Sequence, residues 1–378
     1  MKAILNGHVF DGQRLLERQA VILSGSRIVA VVDEANLPAE IEEGYDLQGG
    51  MLIPGFIDLQ VNGGGGVLFN TSPTVDGLRR IGAAHRAYGT TGFLPTLISD
   101  DYPVMQKAIS AVNQAIRERV PGVLGIHLEG PFLNPQRRGV HAADKFRQLD
   151  EEGFGILTSL EHGKTLVTLA PEMTTPDMIR RLVSKGVIVS AGHSAADFRQ
   201  TQEALAAGLR GFTHLYNAMT PMQSREPGMV GAALADDQSW FGIIADGYHV
   251  SPASLRVAVA AKQAGGALLV TDAMPTVGSS DTTFLLDGET IVARDGRVTN
   301  SAGTLAGSGL NMLAAVNNAA GFARIDWLEA VRMASSYPAR ALGLDAELGA
   351  IRSGYRANLV ALDQQRQIRA SWIDGIRA

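Results

Sequence analysis

From Met51 onward the chain alternates short apolar runs with segments of helical period. The runs at 52–60, 92–97, 123–129, 165–170, 187–193, 211–215, 241–246 and 268–272 are nearly continuous in aliphatic and aromatic residues. Strands covered on both faces read this way, because neither face meets water. Between runs, Met105, Ile109, Val112 and Ile116 recur at four-three-four spacing. Met178, Ile179, Leu182 and Val183 form a second stripe. Both predict helices lying on a sheet. About eight strand–helix units predict a (β/α)8 barrel. A doubly wound open sheet fits less well, since no Gly-x-Gly-x-x-Gly turn follows an early strand. The glycine run 63–66 opens no helix directly, and reads as a loop that must approach a ligand or metal closely.

The two ends are patterned differently. Ile4-Leu5, Val9-Phe10, 20–23 and 28–32 are short β-rich runs broken by Asn-Gly, Asp-Gly and Ser-Gly-Ser, which are hairpin signals. The runs 358–362 and 368–373, with Asp374-Gly375 between the last pieces, look the same. One small β-sandwich domain made by both termini (1–50 and 355–378) is predicted around a catalytic barrel at 51–354. The length of 378 residues fits, since a barrel alone takes about 250.

Charge and composition narrow the partners. Lys+Arg number 33 against 38 Asp+Glu, a formal net charge of -5, and no basic run is longer than a pair. That argues against nucleic acid, but leaves room for a small anion held by one or two arginines. With no cysteine, disulfides and thiolate chemistry are ruled out. The first residues lack the continuous apolar core of a signal peptide, and no apolar run approaches the ~20 residues of a membrane span. A soluble cytoplasmic protein without a membrane partner is expected.

In a barrel the C-terminal strand ends converge on one mouth, where active sites sit. Gln60, Asn62, Glu129, Glu172, His193, His214, His249 and Asp272 all fall at or just after predicted strands. Glu129, His193 and His214 each close an apolar run, and two imidazoles with a carboxylate are the ligand set of an open catalytic metal site. A lone histidine at a strand end is more often structural. His127, inside an apolar run, fits that reading best, and His8, His85 and His162 lie away from the strand ends and read as incidental. Burying Glu129 unpaired would be costly, so a cation accounts for it. Glu172 offers the same chemistry but ranks behind it, as a supporting residue. A bound divalent metal would bring the pKa of a water toward about 7. Asp272 is either a turn residue or, at the last strand end, the carboxylate that moves that proton. His141 is the candidate to stabilise a developing oxyanion. Asn217, the Ala218 amide and Arg225 offer donors for phosphate or carboxylate, although Arg225 reads equally well as a surface arginine. The stretch 304–308 either turns backbone amides toward a substrate or caps a helix.

The segments PGFIDLQVNGGGG, HLEGPFLN, RRGVHAAD, TLAPE, VSAGHS, THLYNAM, REPG, IADGYHV, VTDA and GTLAGS run in order from about residue 51 to 308. Together they resemble the amidohydrolase superfamily, and within it the N-acetylglucosamine-6-phosphate deacetylases. The resemblance implies a metal-dependent hydrolase that removes an acetyl group from an amino-sugar phosphate. It implies one divalent ion, zinc or iron(II), on Glu129, His193 and His214, with Asp272 as general base and acid. His141, beside Val140, would polarise the acetamide carbonyl. Asn217, Ala218, Arg225, Asp246 and His249 would bind the sugar phosphate, and Leu305, Ala306 and Gly307 would line the pocket. A homodimer is implied too, in which His249 serves either its own pocket or the neighbouring subunit's. One departure matters. Many amidohydrolases carry His-x-His on the first strand for a second metal, where this chain has Gln60 and Asn62, and amides replace imidazoles poorly at a transition metal. Lys164 lies at the start of the fourth strand rather than its end, where many relatives place a bridging lysine. A single metal is expected, with Gln60 near it through water. The alternatives are another N-acyl amino-sugar phosphate, a cyclic amide or a dipeptide as substrate, or a non-catalytic sugar-phosphate-binding relative.

Overall fold

The computed structural model describes residues 1–262 and 265–378. Eight parallel strands follow one another in chain order: β1 (Phe56–Val61), β2 (Thr90–Ile98), β3 (Gly125–Glu129), β4 (Lys164–Leu169), β5 (Ile188–Ala191), β6 (Gly211–Phe212), β7 (Trp240–Ile243) and β8 (Ala267–Leu269). Every residue of β1, β2 and β3 is buried, which is why these segments read as nearly continuous apolar runs. Register places Ile98 beside Glu129 and Glu129 beside Thr168. The ring closes past the end of β8, where Val61 bridges Ala273 and the Asp272 amide donates to the Gln60 carbonyl at 3.0 Å. The expected barrel is present.

Three expectations need correction. The run 52–60 is two strands. Met51–Pro54 joins the terminal sheet, while Phe56–Val61 enters the barrel. Gly55 stands at the break, where a Cβ would collide with the Thr91 side chain. Hydrophobicity cannot report such a handover, since both strands are buried. Second, β5, β6 and β8 stop at Ala191, Phe212 and Leu269, short of the run ends. His193, His214 and Asp272 then take left-handed backbone, with φ of 47°, 35° and 52°. Third, the helix Pro176–Ser184 buries Ile179 and Leu182 but leaves Val183 37% exposed. Helical rotation carries Val183 off the face that meets the barrel. The helix Tyr102–Arg117 buries Met105, Ile109 and Val112 as expected.

The termini build two sheets. One has four strands, with Lys2–Leu5 between Gln19–Ser24 and Glu43–Asp46. The other has six, in which Leu359–Leu362 from the end of the chain pairs antiparallel with Met51–Pro54. Ile4, Val9, Val21, Leu23, Leu52, Leu359 and Trp372 pack into one core between them. The sheet thus runs past residue 50 into Met51–Pro54. A small three-stranded sheet (Thr283–Leu286, Glu289–Arg294, Arg297–Thr299) follows β8. It packs Leu286, Ile291 and Val298 against Leu68, Ile98 and Met274 beside the barrel mouth. Among the described residues, no helix is long and apolar enough to cross a membrane.

Candidate metal centre

Glu129 is the last residue of β3, and His193 and His214 each lie two residues beyond β5 and β6. A non-glycine residue in left-handed backbone costs on the order of 1–2 kcal/mol, so both histidines need fixing. The Asn134 amide donates to the His193 carbonyl at 2.9 Å. The amide and side chain of Asn217 both donate to the His214 carbonyl at 3.1 Å. With the backbone so turned, three ligand atoms meet. His214 Nε2 is 2.9 Å and His193 Nε2 3.3 Å from Glu129 Oε1, and the two Nε2 atoms are 3.1 Å apart. Ligands at about 2.0–2.1 Å from a tetrahedral ion stand roughly 3.3 Å from each other, so the trio fits a shared cation. Among the described residues this is the one cluster of three such groups. His193 Nδ1 donates to the Arg137 carbonyl at 2.8 Å, which aims Nε2 at Glu129 and His214, where it would ligate a metal once deprotonated. Burial would raise the Glu129 carboxyl, but hydrogen bonds from His193 and His214 outweigh it and hold the group well below its ordinary value. Burial would likewise depress His214, and the Glu129 carboxylate overrides it and raises the imidazole.

Asp272 faces a different shell. Asn62 Nδ2 donates to its Oδ1 at 2.6 Å, and Gln60 Nε2 donates to the same oxygen at 3.1 Å. Gln60 Nε2 also reaches Glu129 Oε2 at 3.1 Å. The two first-strand amides thus turn N–H donors toward the carboxylates, where imidazoles would turn lone pairs toward a second ion. Gln60 touches the ligand Glu129 directly. Burial, with the Glu129 charge behind it, pushes Asp272 up to about 6.

His141 is buried beside this pair, its ring centroid 4.5 Å from that of His193. Its Nδ1 accepts from the Ser99 amide at 3.4 Å and lies 2.9 Å from the Ser99 hydroxyl. With Nδ1 as the acceptor of that amide, the proton stands on Nε2. Burial, then the neighbouring His193, lowers His141 to about 3, so the ring is a neutral donor.

A cavity of about 210 Å³ opens over the cluster. Asn62, Glu129, Val140, His141, His193, His214, Asn217, Ala218, His249, Asp272, Leu305 and Gly307 all line it, with Ile98, Met274 and Thr304. Three residues singled out in the sequence stand elsewhere. Asp246 lies behind His249 and accepts from its Nδ1 at 2.6 Å. Burial would raise Asp246, but the His249 bond outweighs it and lowers the carboxyl. Ala306 is buried in the apolar cluster with Met274 and Val298. Arg225 is exposed on the loop after β6, outside the cavity wall. The stretch 304–308 is not a helix cap, since Asn311 caps the helix Met312–Ala323. Glu172 accepts from Asn134 Nδ2, the Ser194 hydroxyl and the Ala195 amide, pinning the loops on either side of His193. His127 bonds Thr96 and Thr168 inside the barrel.

His85, which reads as incidental in the sequence, is not. It is fully buried, and its Nε2 donates to the Gly63 carbonyl at 2.8 Å. A Cβ on Gly64 would stand 2.9 Å from the His85 ring, so the glycine loop is cut to fit this imidazole. Burial lowers His85 to about 4. A signal was available: His85 continues the buried stripe Leu78–Ile81 of the helix Val75–Arg86 at helical spacing.

A closed parallel barrel with two imidazoles and a carboxylate at its mouth, and a second buried carboxylate beside them, defines the class of metal-assisted barrel hydrolases. The chain belongs to the amidohydrolase family, whose model matches residues 51–377. A second model, described as the NagA composite domain, matches residues 1–52. The chain is 46% identical over 333 residues to an N-acetylgalactosamine-6-phosphate deacetylase of Shewanella sp. (strain ANA-3), covering 88% of this chain and 84% of that one. It is 35% identical over 377 residues to an N-acetylglucosamine-6-phosphate deacetylase of Haemophilus influenzae, covering 99% and 98%. The crystal structure of N-acetylglucosamine-6-phosphate deacetylase from Pasteurella multocida superposes with a TM-score of 0.96 at 35% identity, covering 100% of this chain and 99% of that one.

Proposed function

We propose that this chain is a metal-dependent deacetylase that hydrolyses N-acetylglucosamine 6-phosphate to glucosamine 6-phosphate and acetate. The observation that carries the reading is the ligand trio, with spacings of 2.9–3.3 Å, sharing one cavity with the separate carboxylate Asp272. Its full-length relatives named for this chemistry support it.

Glu129, His193 and His214 would hold one zinc or iron(II) ion. Such an ion acidifies water and polarises an amide carbonyl. Gln60 and Asn62, committed as donors to Asp272, argue against a second ion. Asp272 removes a proton from water as its oxygen adds to the acetamide carbon. The protonated Asp272 then delivers that proton to the sugar nitrogen as the C–N bond breaks. His141 donates from Nε2 to the carbonyl oxygen while charge builds there. Asn217, the Ala218 amide, Arg225 and His249 hold the sugar phosphate. Asp246 fixes the His249 ring through Nδ1, which leaves Nε2 for the ligand. Val140 and the backbone at 305–307 complete the pocket. Because Arg225 stands outside this cavity wall, we place the enzyme in a homodimer in which Arg225 and His249 serve a phosphate near the subunit interface. A cytoplasmic location belongs to the same reading.

The test measures kcat/KM for N-acetylglucosamine and its 6-phosphate on metal-analysed protein. A strong preference for the phosphate ester is expected, and equal rates would contradict the reading. The galactosamine epimer is the second reading, favoured by the 46% identical Shewanella relative. The same assay with N-acetylgalactosamine 6-phosphate separates the two.

A further inference from the structure

Asp58 is a fully buried carboxylate on β1 that the reaction above does not use. Its partners are all neutral. Oδ2 accepts from the Thr271 hydroxyl at 2.5 Å, while Oδ1 accepts from the Gln60 amide at 3.1 Å and the Thr271 amide at 3.3 Å. Thr271 immediately precedes Asp272. Its carbonyl accepts from the Ser308 hydroxyl at 2.5 Å. The Asp272 amide donates to the Gln60 carbonyl at 3.0 Å, and the Ser308 amide donates to the Asp272 carbonyl at 2.8 Å. Each backbone N–H and C=O of Thr271 and Asp272 is therefore bonded, although β8 has already ended at Leu269. The same stretch carries the left-handed φ of 52° at Asp272. A non-glycine residue keeps such backbone only when its surroundings over-determine it, and sites of this kind cluster where orientation matters.

We propose that Asp58, acting through Thr271 and seconded by Ser308, is a positioning residue that clamps the left-handed turn and aims the Asp272 carboxylate into the cavity. The proposal rests on the reading of Asp272 as the general base. Asp58 touches neither the cavity wall nor the ligand trio. The clamp spans the seam between β1 and the segment after β8, so a purely structural role in closing the barrel is the alternative. The two differ in what they move. A closure role lowers thermal stability and metal content together with activity. A positioning role lowers kcat while KM, metal content and fold persist.

The experiment compares Asp58→Ala, Asp58→Asn, Thr271→Val and Ser308→Ala with the native enzyme. It measures kcat and KM on N-acetylglucosamine 6-phosphate, bound metal by elemental analysis, and the thermal midpoint. Supporting partners of a site typically cost 10–100-fold when removed, and Asp58→Ala and Thr271→Val should each lower kcat by about that factor, with KM within roughly threefold. Ser308→Ala should fall less. Asp58→Asn keeps an oxygen for the two amides and presents an N–H to the Thr271 hydroxyl, so it should recover most of the turnover. Thr271→Val should add nothing in the Asp58→Ala background, because the hydroxyl–carboxylate contact it removes is already gone there. Should Asp58→Ala fail to fold, Thr271→Val and Ser308→Ala, which remove only a hydroxyl, carry the test. Metal-loaded Thr271→Val with kcat within about twofold of native would overturn the proposal, as would losses that vanish when activity is normalised to bound metal. An Asp272→Asn control separates the two readings. If it stays active, the base assignment fails. If it is inactive while the clamp variants are normal, positioning alone fails.

Discussion

On one side of the barrel mouth, Glu129 at the end of β3 faces the imidazoles of His193 and His214. On the other, Asp272 beyond β8 faces the amides of Gln60 and Asn62. Both carboxylates are buried, and burial alone would push both upward. The imidazoles bonded to Glu129 reverse that push and hold it ionised, whereas at Asp272 the more distant His214 and His249 and the Asn62 amide only temper it and leave the group at about 6. Equal burial with unequal partners separates a permanent anion, suited to a cation, from a group able to take and return a proton near neutral pH. The contrast also fits the single ion proposed above, since the Gln60 and Asn62 amides on the second side bond Asp272.

The largest expected effect comes from breaking the imidazole half. Glu129→Gln removes the charge that balances a cation, and turnover should fall by at least about 10³-fold together with metal content, read by elemental analysis and steady-state assay. Asp272→Asn breaks the other half and should behave differently: one equivalent of metal stays, while kcat falls by about 10²–10⁴-fold. Loss of metal in this variant would erase the distinction between the halves. A gentler probe is pH. The base works only when unprotonated, so kcat should rise as pH increases through about 6. Asn62→Leu deletes a donor that favours ionised Asp272, and the acid limb of the kcat profile should move to higher pH. An unmoved or downward-shifted limb would contradict the role given to the amides.

The smallest effect concerns the floor beneath the amide half, where His85 holds Gly63 beside Asn62. Burial keeps folded His85 at about 4, below the ordinary value of about 6.5. Between those values the unfolded chain binds a proton that the folded chain refuses. The stabilisation is thus complete above about 6.5 and is lost as pH falls toward 4. In denaturant titrations at pH 7 and pH 5, the native protein should lose more stability on acidification than His85→Gln does. Equal losses would remove His85 from the account.

Parts of this arrangement were legible in the sequence for a definite reason. Buried parallel strands carry few polar residues, so a histidine or glutamate that ends such a run stands out, and Glu129, His193, His214 and Asp272 all did. The Gln60 and Asn62 side chains were legible as a departure from paired histidines. What stayed hidden depends on contacts between distant residues. Asp58 and Thr271 are 213 positions apart, and Ser99 and His141 are 42 apart, so no local pattern pairs them. The left-handed turns at His193, His214 and Asp272 were hidden as well, since glycine does not mark them. The small sheet beside the mouth was within reach. Asp287-Gly288 and Asp295-Gly296 are hairpin turns between β-rich runs, and they connect its strands. Arg225 was singled out for the chemistry of its guanidinium, which carries no information about distance, and it stands outside the cavity wall.

Crystals of the purified enzyme, measured at the absorption edge of its metal, give the most direct test. A single anomalous peak is expected, about 2.0–2.2 Å from Glu129 Oε1 and from the Nε2 atoms of His193 and His214. A second peak of equal height against Gln60 and Asn62, or a lone peak bonded to fewer than three of those atoms, would contradict the one-ion centre.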